Sequence, residues 1–376
     1  DPKRSYFNSC SNGGRQALME AQRFPADYDG IIAGAPANYW THLLSSAAFG
    51  AKAMLSEPAS YLPPAKLPAI QAAAVAQCDA SDQVKDGVIE NPLACHFDPS
   101  VLLCQGSETD ACLTVHQLAS LKTIYAGLKN SKGQVLMPGL SPGGEAEPGT
   151  WASWVTGPEP EKSEMFRYGT QFFKNMVYSD PDWKFQTFDV DRDVKAADDR
   201  FATTLNSTNP DLSAFEKRGG KLILYHGWAD AAIPAVNAIN YFDTVTKKMG
   251  AAKTGSFVRL YMVPGMGHCS GGPGPSAFGQ QGTPGDTDRF HSVDAALEAW
   301  VEQGTAPAEI IASKYKTGDP KSGVVRTRPL CPWPQIAKYK GTGSTDDAAS
   351  FACTKIAALM RQRVGHIVDA NPNPER

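Results

Sequence analysis

Three residues of the types that acyl transfer requires occur in the chain order Ser11, Asp230, His268. The reaction needs a hydroxyl to attack a carbonyl and an imidazole to take and return its proton. It also needs a carboxylate to fix the imidazole's tautomer and stabilise its cation. Ser11 lies in the stretch Ser5 to Gly14, where a short apolar strand, Tyr6-Phe7, runs into small residues and Arg15 to Phe24 reads as a helix. A strand, a tight turn and a helix hold a serine hydroxyl clear of its own backbone and aim helical N–H groups at an oxyanion formed beside it. Ser9 to Gly13 fits the G-x-S-x-G pattern with Ser9 in place of the first glycine. Taken singly, each residue has a blander reading: Ser11 in a loop capping a helix, Asp230 as a helix cap, His268 as a loop residue.

The cysteines bear on the same three residues. Eight are present and none forms C-x-x-C, which argues against zinc and for four disulfides made in an oxidising compartment, with buried free thiols as the alternative. Parity leaves the pairing open. Cys10 precedes Ser11 and Cys269 follows His268. A bond between these two would hold their Cα atoms about 4.4–6.8 Å apart and tie nucleophile to base.

The elements that must position these residues read as alternating strands and helices. Helix Arg15 to Phe24 places Leu18, Ala21 and Phe24 on one face and stops at Pro25, and Gly30 to Ala33 is a buried strand, so the opening is a parallel right-handed crossover. The rhythm returns with strand Leu222 to Tyr225, the loop of Asp230, a helix near Pro234 to Met249, and strand Phe257 to Val263 running into His268. Helix Val293 to Gln303, with Ser292 as N-cap and Gly304 past its end, and strand Glu309 to Lys314 follow. This predicts an α/β fold, a mostly parallel sheet flanked by helices, with Ser11, Asp230 and His268 each just past a strand's carboxyl end. Between the two parts the chain is richer in Pro, Ala, Cys and Gly, has a capping box at Thr114 and Gln117, and carries Trp151, Trp154, Phe166, Tyr168, Phe172, Phe173 and Tyr178. The expected division is therefore residues 1–50 and 210–376 as the catalytic domain and residues 51–209 as an inserted lid.

Composition narrows the function. With 376 residues, 42% hydrophobic, the chain can bury a large core. Lys+Arg 36 against Asp+Glu 39 gives a net charge of −3 without a basic run, so a nucleic-acid partner is not expected. No apolar stretch approaches the roughly 20 residues that span a bilayer, and no N-terminal signal pattern is present. The chain starts at Asp1, a few residues ahead of the nucleophile strand, and reads as N-terminally incomplete, lacking part of the sheet.

The motifs Ser-Cys-Ser-Asn-Gly-Gly-Arg-Gln, His-Gly-Trp-Ala-Asp and Gly-Met-Gly-His-Cys, with Cys beside both Ser and His, resemble those of the tannase and feruloyl esterase family. That family includes a bacterial hydrolase of terephthalate monoesters. The resemblance covers essentially the whole chain and implies an α/β-hydrolase with a large inserted lid. It implies Ser11 as nucleophile, Asp230 as orienting acid, His268 as base, the Asn12 N–H in the oxyanion hole, and Cys10 with Cys269 as an active-site disulfide. It further implies pairing of Cys78 with Cys95, Cys104 with Cys112, and Cys331 with Cys353. A structural Ca2+ site in the lid is implied at Asp79, Asp82 and Asp86 with the carbonyls of Val84 and Val88, an all-oxygen shell suited to a hard cation. Without the family, that loop reads as an acidic solvated surface.

Two departures from the family pattern stand out: Ser9 at the elbow, and the absence of the long N-terminal portion that carries a second oxyanion donor. The expectation is a secreted or periplasmic serine esterase working through an acyl-enzyme on small aromatic-acid esters, ferulate-like or gallate-like, with a terephthalate monoester as the alternative. A truncated, non-catalytic calcium-stabilised binding domain would tolerate loss of Ser11, Asp230 or His268, and a general lipase would show a broad apolar lid. The presence of all three disfavours the first, which stays an alternative, and an intervening segment stapled by disulfides and rich in Trp and Tyr disfavours the second.

Overall fold

The computed structural model describes residues 3–282 and 287–356, so residues 357–376 of the expected third segment lie outside the described residues. At its centre is a four-stranded parallel sheet in the order β1 (Tyr6–Cys10), β2 (Gly30–Gly34), β3 (Lys221–Gly227), β4 (Val258–Val263). The register sets Cys10 opposite Gly34, Gly34 opposite Tyr225, and Gly227 opposite Val263, so the loops after β1, β3 and β4 leave from one edge.

Side chains on a strand alternate between faces, and here both faces are covered, which is why these strands read as continuous apolar runs. Ile31, Ala33, Leu222, Leu224, Leu260 and Met262 share a buried cluster with Ala17 and Leu18 of α1 (Asn12–Arg23) and Ala238 and Ile239 of α2 (Val236–Met249). Ile32, Ile223, Tyr225, Tyr261 and Val263 point the other way, into a cluster with Ala296, Leu297 and Trp300 of α3 (Val293–Gln303). The chain is thus an α/β fold with helices on both sides of a parallel sheet.

Local signals account for the element ends. Ser292 accepts a hydrogen bond from the Ala295 N–H at the start of α3, and Gly304 takes the left-handed conformation at its end with φ 72°. Thr114 and Gln117 form the reciprocal capping box ahead of helix Val115–Ala126.

Three expectations are corrected. Helix α1 begins at Asn12 rather than Arg15, because Gly13 and Gly14 form its first turn. Phe24, expected on one helix face with Leu18 and Ala21, is the C-cap residue and is 52% exposed, since the helix stops one residue before it. The strand near Glu309 to Lys314 exists as Ile310–Tyr315 but pairs antiparallel with Val324–Leu330, outside the parallel sheet. The Gly318-Asp319-Pro320 turn returns the chain at once, and a short connection favours an antiparallel neighbour.

Residues 40–205 contribute no strand to the sheet. Helix Trp40–Leu55 runs unbroken through the expected boundary at residue 50, and its Leu43, Leu44, Ala48 and Ala51 pack with Phe172, Phe173, Trp183, Phe185 and Phe188. The change of character therefore begins at about Trp40.

A Cβ on Gly14 would stand 2.3 Å from the Gly34 carbonyl oxygen, a backbone atom of the neighbouring strand. Helix propensity alone would make Gly14→Ala stabilising by about 1 kcal/mol. The contact reverses the sign, and Gly14→Ala is expected to destabilise by about 1–3 kcal/mol in denaturant or thermal unfolding.

Candidate active site

Ser11 sits between β1 and α1 with φ 66° and ψ −125°, a conformation that costs a non-glycine residue about 1–3 kcal/mol. The neighbours hold it there. Its N–H donates to the Gly34 carbonyl at 2.9 Å, and its carbonyl accepts from the Arg15 and Ala37 N–H groups, each at 3.1 Å. A Cβ on Gly13 would lie 1.8 Å from Ser9 Oγ, so only glycine fits behind the nucleophile. Asn12, the first residue of α1, has its backbone N–H among those a helix start leaves without an intrahelical acceptor, and its side chain accepts from Arg15 Nε at 2.9 Å.

The loops after β3 and β4 are locked to one another. Trp228 N–H donates to the Val263 carbonyl and Ala229 N–H to the Met266 carbonyl, both at 2.9 Å. Gly227 permits this approach, because a Cβ there would meet the Met266 carbonyl oxygen at 2.3 Å. The result brings the three dispersed residues together. His268 Nε2 lies 2.8 Å from Ser11 Oγ, and His268 Nδ1 lies 2.9 Å from Asp230 Oδ2. Cys10 and Cys269 are joined, with Cα atoms 6.1 Å apart.

Asp230 is fully enclosed, and its carboxylate is supplied with donors on both oxygens. Oδ1 accepts from the Ala232 and Ile233 N–H groups at 2.8 and 2.9 Å. Oδ2 faces His268 and also His226 Nε2, at 3.2 Å. Burial works to raise the Asp230 carboxyl, but the contacts with His268 and His226 outweigh it and hold it below the usual carboxylate range. Burial likewise works to lower His268, and Asp230 outweighs it, raising the imidazole above its ordinary 6.5. The arrangement provides a polarised hydroxyl, a base of fixed tautomer and a buried anion behind it. No motif marks His226 in the sequence, since no periodicity indicates that a strand residue will meet a loop residue four positions on.

The aromatics of the intervening segment divide. Trp151, Phe172 and Phe173 are buried in that segment's own clusters. Trp154 instead lies edge-on to His268, ring centroids 4.9 Å apart, and stacks on the exposed Tyr168 at 6.4 Å. Its ring is thus placed against the His268 imidazole.

The acidic loop is folded by its own side chains. Asp79 accepts from the Asp86 and Gly87 N–H groups, Asp82 from Val84 N–H, and Asp86 from Val88 N–H. Arg328 and Arg326 reach Asp86 Oδ2 at 2.6 and 3.1 Å. Among the described residues no three His, Cys, Asp or Glu side chains converge as a ready-made metal cage. The loop's carboxylates and carbonyls are all oxygen donors, the type a hard cation takes, and burial, reinforced by Asp86, pushes the Asp82 carboxyl up to about 6. The remaining disulfides are Cys78–Cys95, which flanks this loop, Cys104–Cys112 and Cys331–Cys353. Four disulfides fit an oxidising compartment, and no helix among the described residues is long and apolar enough to cross a membrane.

The family model for tannase and feruloyl esterase matches residues 1–354. The chain belongs to the tannase and feruloyl esterase family. It is 47% identical over 376 residues to an uncharacterized esterase of Xanthomonas campestris pv. campestris, covering 94% of this chain and 65% of that protein. It is 36% identical over 406 residues to the mono(2-hydroxyethyl) terephthalate hydrolase of Piscinibacter sakaiensis, covering 93% of this chain and 63% of that one. The crystal structure of feruloyl esterase B from Aspergillus oryzae superposes with a TM-score of 0.85 at 31% identity, over 94% of this chain and 70% of its own. The chain thus spans slightly under two thirds of the length of these two sequence relatives.

The Cys10–Cys269 bond spans 259 residues of sequence. Chain-entropy arguments give such a closure about 5 kcal/mol of stabilisation. It also fixes the separation of two loops on which the Ser11–His268 hydrogen bond depends. Replacing both cysteines by Ala is expected to lower the melting temperature and to reduce ester turnover at least about tenfold well below that temperature, since misplacement of around 1 Å costs on the order of a hundredfold. Steady-state kinetics on the folded double variant checks this.

Proposed function

We propose that this family member is a serine carboxylic-ester hydrolase acting on small esters of aromatic acids. The observation that carries the reading is the continuous hydrogen-bond chain Ser11–His268–Asp230 at the carboxyl edge of the sheet. His268 Nε2 takes the Ser11 proton as Oγ attacks the ester carbonyl, and the tetrahedral oxyanion faces the Asn12 N–H. Collapse expels the alcohol, which leaves with the proton returned by His268, and an acyl-Ser11 remains. Water, deprotonated by the same imidazole, attacks the acyl carbonyl, and the acid departs as Ser11 regains its hydrogen. Asp230 holds the Nδ1–H tautomer and compensates the imidazolium in both halves.

The aromatic-acid preference rests on Trp154 and Tyr168, a stacked pair leading from His268 to the surface, and on relatives named as feruloyl esterases. A terephthalate monoester as substrate is the second reading, favoured by the likeness to the Piscinibacter sakaiensis enzyme. Secretion or periplasmic location follows from the disulfides as part of this proposal. A structural Ca2+ held by Asp79, Asp82, Asp86 and the Val84 and Val88 carbonyls, where it would neutralise the crowded carboxylates, is a further part of the proposal.

In the full-length enzyme a fluorophosphonate is expected to label Ser11, and Ser11→Ala to abolish both labelling and hydrolysis of methyl ferulate, methyl gallate and a terephthalate monoester. Mapping of the label to another serine would overturn the assignment, and the ranking of the three esters decides between the substrate readings. Because His268 must be neutral to act as base and its pKa is raised, activity is expected to rise with pH through a midpoint above 6.5.

For the metal, chelator is expected to lower the melting temperature of the wild type and to have little effect on an Asp82→Ala, Asp86→Ala double variant, since a ligand stabilises only the form that binds it. Equal shifts in the two proteins would place the ion elsewhere.

A further inference from the structure

His226 has no exposed surface and sits at the penultimate position of β3. Its polar contacts are all on one nitrogen. Nε2 lies 3.0 Å from the Ile233 carbonyl oxygen and 3.2 Å from Asp230 Oδ2. Both are acceptors, so Nε2 carries the proton. Nδ1 is buried with no hydrogen-bond partner. An imidazole with one nitrogen left orphaned is a poor core residue, because an apolar side chain would fill the space without a desolvated, unpaired polar atom. Packing therefore does not account for histidine here.

Geometry at Asp230 does. Oδ1 is already occupied by the Ala232 and Ile233 N–H groups, and Oδ2 is the oxygen that His268 uses. We infer that His226 is a positioning residue of the reaction: its Nε2–H bridges Asp230 Oδ2 and the Ile233 carbonyl, fixing the carboxylate's rotation and sharing with His268 the oxygen that the base depends on. The inference rests on the esterase reading above.

Two consequences follow. The bridge ties the carboxylate to the turn that supplies its other two donors, so Asp230 cannot swing away from His268. It also draws negative charge from Oδ2, so the pull of Asp230 on the His268 proton is weaker than an unshared carboxylate would exert. The titratable groups acting on Asp230 are His226 from β3 and His268 from the loop after β4. Removing the His226 donor leaves Oδ2 to His268 alone, which stabilises the imidazolium and moves its deprotonation to higher pH.

The test is the rate at which a fluorophosphonate labels Ser11, followed from about pH 5 to 9 in wild type, His226→Leu and His226→Gln. Labelling of wild type is expected to rise with pH as His268 loses its proton. In His226→Leu the midpoint is expected to move up by about half a unit or more, which makes labelling below the midpoint about threefold slower or worse. His226→Gln keeps an amide donor at the Nε2 position and is expected to return the midpoint to within about 0.2 unit of wild type. An unchanged midpoint in folded His226→Leu overturns the inference, and so does a shift that His226→Gln fails to reverse. Should the Leu variant not fold, nitrogen-15 NMR of the wild-type histidines decides, because a His226 found as the Nδ1–H tautomer has no Nε2 proton to donate. Absence of any Ser11 labelling in wild type would instead overturn the esterase reading itself.

Discussion

Everything at the candidate site depends on one close approach, that of the loop after β3 to the loop after β4. Gly227 lies against the Met266 carbonyl so closely that a single added carbon could not be accommodated, and two backbone hydrogen bonds from Trp228 and Ala229 seal the contact. Asp230 and His268 are separated by a distance that a single hydrogen bond spans because of it. Ser11 is brought to the same point by a different device, a strained turn whose glycines let α1 pack on β2, and the Cys10–Cys269 bond then connects the two halves covalently.

The electrostatics follow from burial. A carboxylate removed from water is unfavourable unless donors replace its hydration. Asp230 meets that requirement with two backbone N–H groups on one oxygen and two imidazoles on the other. Its anion therefore persists at neutral pH and raises His268. The buried anion, rather than the half-buried Ser11, sets the proton affinity of His268. Asp230 is thus the residue whose surroundings the sheet must specify most closely.

The segment between β2 and β3 builds apolar clusters that also take in Ala231, Ala232 and Ile233 of the loop after β3, so most of its aromatic residues are accounted for by packing. Trp154 is different, because one edge of its ring meets His268 and one face meets Tyr168. Through it the segment touches the His268 imidazole directly. A second tie runs from the acidic loop to the distant strand carrying Arg326 and Arg328.

The α/β rhythm, the capped helices and the three residue types were legible in the chain because they depend on local pattern: apolar runs, capping side chains, and Ser, Asp and His each following a strand. Eight cysteines indicated bonding but not pairing, since pairing is a fact about distance in space. The partnership of His226 with Asp230, the choice of Trp154 over its neighbours, the antiparallel placement of Ile310–Tyr315 and the exposure of Phe24 were not legible. Each depends on which backbone atoms come within a few ångströms of one another once the sheet has formed. Sequence determined which groups are available and at which end of each strand they lie. Tertiary structure decided which of them share an oxygen, a ring face or a sulfur, because those contacts join residues whose separation along the chain carries no information about their separation in space.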